Sequence, residues 1–127
     1  VTGEAARRPI SPEESAVIRS ILSRMNTSFS SPLIDDLEDA LVANETTWIL
    51  DVKVSNSGDG ADLPNGPFPA QAFVPNSADY QGEVIIWIAD GHISGLEYVW
   101  VSDDPPTRWP RADEMEVVLK ADPNDET

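Results

Sequence analysis

The run from Gly82 to Val101 constrains this chain more than any other, because two apolar segments meet there at Asp90-Gly91. Asp-Gly between apolar segments signals a two-residue hairpin turn in which both central residues take positive φ. In the first segment Val84, Ile86 and Ile88 alternate with Ile85 and Trp87, so both faces are apolar and a central strand is predicted. The turn sets Ala89 opposite His92 and Ile88 opposite Ile93. Continued strictly, that register places Gly95 opposite Ile86 and turns Leu96, Tyr98 and Trp100 to the wrong face. One extra residue at Gly95, a bulge, restores the parity. Val84, Ile86, Ile88, Ile93, Leu96, Tyr98 and Trp100 then share one face. Ile85, Trp87, Ser94, Glu97, Val99 and Val101 share the other.

Two helix signals precede the hairpin. In Ser11-Pro12-Glu13-Glu14, Ser11 is the N-cap, Pro12 fits the first helical position and Glu14 completes a capping box. Val17, Ile18, Ile21, Leu22 and Met25 follow on one face of a 3.6-residue period, which predicts a helix over 12–25. Ser31-Pro32 repeats the start, Asp35 and Asp36 suit a first turn, and Leu33, Ile34, Leu37, Ala40 and Leu41 form a stripe. This predicts a second helix over 32–43, paired with the first as a helical hairpin.

From Thr46 to Val54 the period changes to two, with Trp48, Leu50, Val52 and Val54 on one side, as in a half-buried strand. The Gly- and Pro-rich segment 55–69 reads as a mobile loop and Ala70–Val74 as a short edge strand. Arg111–Met115 fits one helical turn and Glu116–Lys120 a last short strand. The expected organisation is a flexible lead-in over 1–10, a single α+β domain over 11–120 and a disordered tail over 121–127. The expected fold is a helical hairpin packed on an antiparallel sheet of four to five strands.

Composition narrows the function classes. The chain carries 23 acids against 8 Lys and Arg, a formal net charge of −15. Such a field repels nucleic-acid phosphate and anionic membrane surfaces, so neither is expected as a partner. No cysteine is present, which excludes disulfides, Cys-zinc sites and thiol nucleophiles, and one histidine excludes a His-rich metal site. No apolar run has the length of a bilayer span and the first ten residues lack the apolar core of a signal peptide. A cytoplasmic location is therefore expected.

Through Gly82–Tyr98, together with Asp103-Asp104-Pro105-Pro106 and Pro110, the chain resembles a group of small acidic proteins, chiefly actinobacterial, to which no activity is attached. The resemblance covers roughly the last third of the chain. It implies a domain layout and transfers no site.

The candidate chemistry is sparse. Asp35/Asp36, Asp103/Asp104 and Asp113/Glu114 are adjacent carboxylates that acid–base hydrolysis could use, but turns and helix starts gather such pairs for other reasons. His92, the sole histidine, would need a carboxylate partner to act as a base, and otherwise reads as an exposed residue beside the turn. Asn56, Asp59, Asp62 and Asn65 are oxygen ligands without calcium-loop spacing. No cofactor is expected. Trp48 and Trp100 fall on apolar strand faces and read as core, and Trp109 reads as a cap on the core edge. Trp87 shares its face with Ser94 and Glu97. Between Thr27 and Thr107 one base, Lys53, stands against 14 acids. The expectation is a non-enzymatic acidic binding domain of immunity or inhibitor type. It would engage a basic protein, such as a toxin or nuclease, through Trp87, Glu97, Asp103 and Asp104. A small hydrolase or isomerase using carboxylates and His92, and a structural or oligomerising domain, are the alternatives.

Overall fold

The computed structural model describes residues 7–25, 30–38, 40–54, 60–61, 63–74, 82–101 and 108–119. In chain order the elements are β1 (Arg8–Pro9), α1 (Pro12–Met25), α2 (Ser30–Asp35), β2 (Leu41–Thr46), β3 (Ile49–Lys53), β4 (Gly66–Pro67), β5 (Ala70–Val74), β6 (Gly82–Ala89), β7 (His92–Trp100), a 3-10 turn (Ala112–Glu114) and β8 (Glu116–Leu119). The strands form one antiparallel sheet in the order β1-β2-β3-β7-β6-β5-β8, with β4 also on β6. The α+β class and the antiparallel sheet agree with expectation. The sheet has eight strands rather than four to five. The additional strands are the short pairs β1 and β4, too brief to leave a period in sequence, and β2, which lies where a helix was expected.

The β6–β7 hairpin forms the middle of the sheet. Asp90 and Gly91 have φ of 54° and 80°, the positive values that a type I′ turn requires. Pairing runs Ala89–His92, Ile88–Ile93 and then Trp87–Gly95, Ile86–Leu96 and Val84–Tyr98. The extra residue is thus Ser94, so Ser94 and Gly95 together face Trp87. The bulge restores the apolar parity as expected, but Gly95 does not have the positive φ often seen in bulge glycines. Space at this position is tight. A Cβ there would lie 3.1 Å from the Leu50 carbonyl oxygen and 3.4 Å from Trp87 Cβ. Gly95→Val should therefore destabilise the fold by about 1–3 kcal/mol, read from the urea midpoint, despite the higher β propensity of valine. An unchanged or raised midpoint would remove this account of the bulge.

The first helix follows its sequence signals closely. The Glu14 N–H donates to Ser11 Oγ at 3.1 Å and the Ser11 N–H to Glu14 Oε1 at 2.9 Å, the reciprocal capping box. Val17, Ile18, Ile21 and Leu22 are all buried. The second helix stops at Asp35, well short of residue 43. After it the chain winds tighter, with the N–H groups of Asp36, Leu37 and Glu38 donating three residues back to Leu33, Ile34 and Asp35 at 3.1, 3.0 and 3.2 Å. It then straightens into β2, where Val42 pairs with Val52. Leu41, the last member of the expected helical stripe, is 40% exposed.

The helices lie on one face of the sheet. The core joins their apolar stripes to Val42, Leu50, Val52, Ala72, Val84, Ile86, Ile88, Ile93, Leu96 and Tyr98. Trp48 and Trp109 close one end, packed edge-on with ring centroids 5.3 Å apart, and Tyr98 lies 6.0 Å from each. Trp100 departs from expectation. It is 38% exposed, at the end of β7 and three residues beyond Glu97, the last β7 residue that pairs with β3. β5 is not an edge strand either, since β8 pairs with its outer side. Among the described residues no helix is long and apolar enough to cross a membrane.

Candidate functional site

The opposite face of the sheet carries no helix among the described residues. Directly paired residues of neighbouring strands share a face, so the register identifies what it presents. Leu41 pairs with Lys53, Ile49 with Glu97, Glu97 with Ile85, Glu83 with Phe73 and Phe73 with Glu116. Leu41, Phe73, Val99 and Val118 are 37–43% exposed on this face, a large apolar content for water-facing strands. Carboxylates are interleaved with them: Asp51, Glu83, Glu97 and Glu116. The bases in the same surface are Lys53 and Arg7, and the Arg7 guanidinium is bound to Asp51.

Trp87 lies near the centre of this face, half-buried. Its opposite number is Gly95, and the missing side chain leaves the indole room to reach across the strand. Trp87 Nε1–H donates to Glu97 Oε1 at 3.2 Å. The two partner-binding residues expected on the hairpin are therefore brought together. Asp103 and Asp104, expected beside them, lie outside the described residues.

Where β3 begins, at Ile49, and β7 runs on past it, the sheet opens into a cleft of about 360 Å3. Trp48, Ile49, Tyr98, Val99 and Trp100 wall it, and Glu97 is its charged lining residue. A second cleft, of about 290 Å3, lies between α1 and the 3-10 turn, bordered by Glu13, Val17, Arg108, Trp109 and Arg111.

His92 differs from expectation. Its side chain is 16% exposed rather than open to solvent, and Nδ1 lies 3.0 Å from Asp36 Oδ1. Asp36 is fully buried, and its Oδ2 also accepts the Ile93 N–H at 3.1 Å. Asp35 and Asp36 are thus separated in role, with Asp35 exposed. Asp113 and Glu114 also part, since both Glu114 oxygens accept from Arg108, at 2.7 and 2.8 Å. Neither pair converges as an acid and base. Asn65 Oδ1 accepts the Asp90 N–H at 2.9 Å, while Asn56, Asp59 and Asp62 lie outside the described residues. Among the described residues no cluster of His, Asp and Glu could hold a metal ion.

The −15 charge acts on stability as well as on partners. Raising salt from about 10 mM to about 0.15 M at pH 7 shortens the screening length from roughly 30 to 8 Å, and the melting temperature should rise. A fall over that range would mean that local ion pairs outweigh the self-repulsion.

No family model, curated protein or solved structure matches this chain.

Proposed function

We propose that the chain is a non-enzymatic acidic binding domain of immunity or inhibitor type, and that its helix-free sheet face engages a basic protein. The observation that carries this reading is the pairing of Trp87 with Glu97 at the centre of an exposed, apolar, acid-studded surface. An indole held by a carboxylate is an ordered anchor that loses little entropy on binding. The surrounding carboxylates and the net charge attract a cationic partner at long range. Asp103 and Asp104 follow the same hairpin in sequence and add two carboxylates to the acidic charge. A toxin or nuclease fits the description of such a partner, and the acidic actinobacterial group is the proposed kinship.

The enzymatic alternative gains one observation, the carboxylate partner that His92 would need as a base. Against it, Asp36 is fully buried and also holds the Ile93 backbone, and neither cleft described above includes His92 or Asp36. A pair so placed ties α2 to the hairpin rather than facing a substrate.

The test is capture of partners from a host lysate, followed by rate measurements on the purified main partner. The association rate should fall at least about ten-fold between low and high salt, and reversing Asp103 and Asp104 to Lys should slow it. Trp87→Ala should instead speed dissociation, by about thirty-fold for a central aromatic anchor. The division arises because charge acts over roughly a Debye length, whereas burial needs contact. A partner that is not basic, or rates indifferent to both salt and Trp87, would overturn the reading.

A further inference from the structure

The two edges of the sheet differ. At one end β1 is the last strand. Its Pro9 has no N–H to offer, and its Arg8 is bound to Glu14 and to the Asn44 side chain, which itself donates to the Thr46 carbonyl at 3.2 Å. A register shift between Asn44 and Thr46 interrupts β2 behind it. Proline, a basic residue and a bulge are devices that keep an edge from pairing further. β8 closes the other end, and Glu116–Leu119 holds none of the three. Its open groups follow from the register. The Phe68 N–H donates to the Ile86 carbonyl at 2.7 Å, so Ile86, and with it Val84 two residues away, directs its backbone groups to the β4 and β5 side of β6. Ala72, opposite Val84, therefore bonds to β6, and its neighbours Gln71 and Phe73 bond to Val118 and Glu116 of β8. Val117 and Leu119 point their N–H and C=O groups outward, and among the described residues no strand takes them. The Met115 groups before them are held by Ala112 and Arg24. Glu116 and Val118 are exposed on the helix-free face, where Glu116 continues the row of Glu83 and Phe73.

We propose that the outer edge of β8 binds an extended segment of the basic partner as an added antiparallel strand, with an apolar residue opposite Val118 and a lysine or arginine opposite Glu116. The backbone groups of Val117 and Leu119 exchange bonds with alternate residues of that segment. Glu116 and Val118 then fall at the non-hydrogen-bonded positions of the new pair, where opposed residues come closest, with Cα atoms about 4.5 Å apart. Opposite charges placed there attract and like charges repel. Because the added strand runs against β8, the residue facing Val118 precedes the one facing Glu116 by two. The motif is therefore apolar, any residue, basic. Charge selects the occupant. A second copy of this chain would bring another −15 to the edge, and an acidic segment would set a carboxylate against Glu116. The added strand also widens the face that presents Trp87 and Glu97, so one partner can meet both. The inference rests on the cationic-partner reading for the charge of its occupant and adds the shape, an extended segment rather than a folded surface.

The test uses the full chain and the synthetic peptide acetyl-Thr-Ile-Thr-Arg-Thr-amide, followed through the backbone amide signals in NMR. The Val117 and Leu119 amides should move downfield saturably as their N–H groups gain acceptors, with a dissociation constant roughly in the millimolar range for a few added backbone bonds. Binding should weaken at least about five-fold when the central threonine is N-methylated, which removes the N–H that faces the Val117 carbonyl, and when the arginine is replaced by glutamate. Glu116→Gln should narrow the difference between the arginine and glutamate peptides. Leu119→Pro removes an outward N–H and leaves the bonds to β5 in place, so the amide spectrum of the sheet should persist while peptide binding is lost. No saturable shift at Val117 and Leu119, equal binding of the N-methylated or the glutamate peptide, or a dimer of the free chain in sedimentation that Leu119→Pro abolishes would each overturn the proposal, the last by making a second copy the occupant. The two readings fail separately. A captured basic partner that binds Leu119→Pro as tightly as the parent sinks the added strand and leaves the Trp87 face standing. An edge that takes the arginine peptide while no basic partner is captured does the reverse.

Discussion

Asp36→Ala should lower the stability of the folded protein by about 2–4 kcal/mol, measured by urea unfolding, the sum expected for a buried N–H left without its acceptor and a small void. The Asp36 carboxylate is fully buried and accepts from the Ile93 backbone at 3.1 Å, with His92 Nδ1 at 3.0 and 3.2 Å from its two oxygens. Alanine leaves that buried N–H without its acceptor, removes a partner of the imidazole and opens a void. Asp36→Asn should cost less, because the amide oxygen can still take the Ile93 N–H. Asp35→Ala, one residue away and exposed, should change stability by no more than about 0.5 kcal/mol. Equal effects at the two positions would show that the pair does not hold α2 to the hairpin. The same variant has a functional consequence. β6 presents Trp87 and β7 presents Glu97, so under the proposed function loosening the hairpin near His92 should weaken binding of the proposed partner even though Asp36 lies on the other side of the sheet.

That pair marks the boundary of what sequence could reveal. Local chemistry was legible: the Asp90-Gly91 turn, the bulge demanded by the parity of Leu96 and Tyr98, and the reciprocal bonds of Ser11 and Glu14 each depend on a few neighbouring residues. So was the meeting of Trp87 and Glu97, since parity alone puts them on one face. Asp35 and Asp36 look alike locally, and a partner 56 residues away decides which is buried. The end of α2 was hidden for the same reason: Leu37, Ala40 and Leu41 keep helical spacing, but pairing of Val42 with Val52 favours a strand. Trp100 shares its parity with Tyr98, yet Tyr98 is 2% exposed and Trp100 38%. The difference depends on where β3 begins, which no pattern within β7 records. The cleft was missed with it, although an indole three residues beyond Glu97 at a strand end was a signal that could have been weighed.

Acid should reveal two opposing effects, separable because one local construction occurs twice. In Arg8 to Glu14 and again in Arg108 to Glu114, an arginine binds through both terminal nitrogens the glutamate six residues later. Each glutamate also accepts the N–H three residues before it, from Ser11 and from Arg111. Burial pushes the Glu14 carboxyl up, but the Arg8 guanidinium and the Ser11 bonds outweigh it and hold the group below the usual carboxylate range. The Arg108 guanidinium, with the Arg111 N–H, lowers Glu114 from 4.5 to about 2. Both carboxyls are depressed on folding, so below about 4.5 the unfolded chain binds more protons than the folded one. Their contribution is complete above that pH and is lost as pH falls towards the folded values, towards about 2 for Glu114. Protonating the other acids meanwhile relieves the self-repulsion of the −15 charge. Stability should therefore rise as pH falls from 7 to about 5 and drop below about 4. Glu14→Gln and Glu114→Gln together should cost on the order of 2 kcal/mol at pH 7, a figure kept modest by solvent screening of the Arg108–Glu114 pair. The double variant should converge on the parent as pH approaches 2. A gap that is constant across pH would mean that these glutamates act through packing rather than charge. Steady loss from pH 7 downward would mean that the native ion pairs, and not the excess negative charge, dominate the electrostatics of the fold.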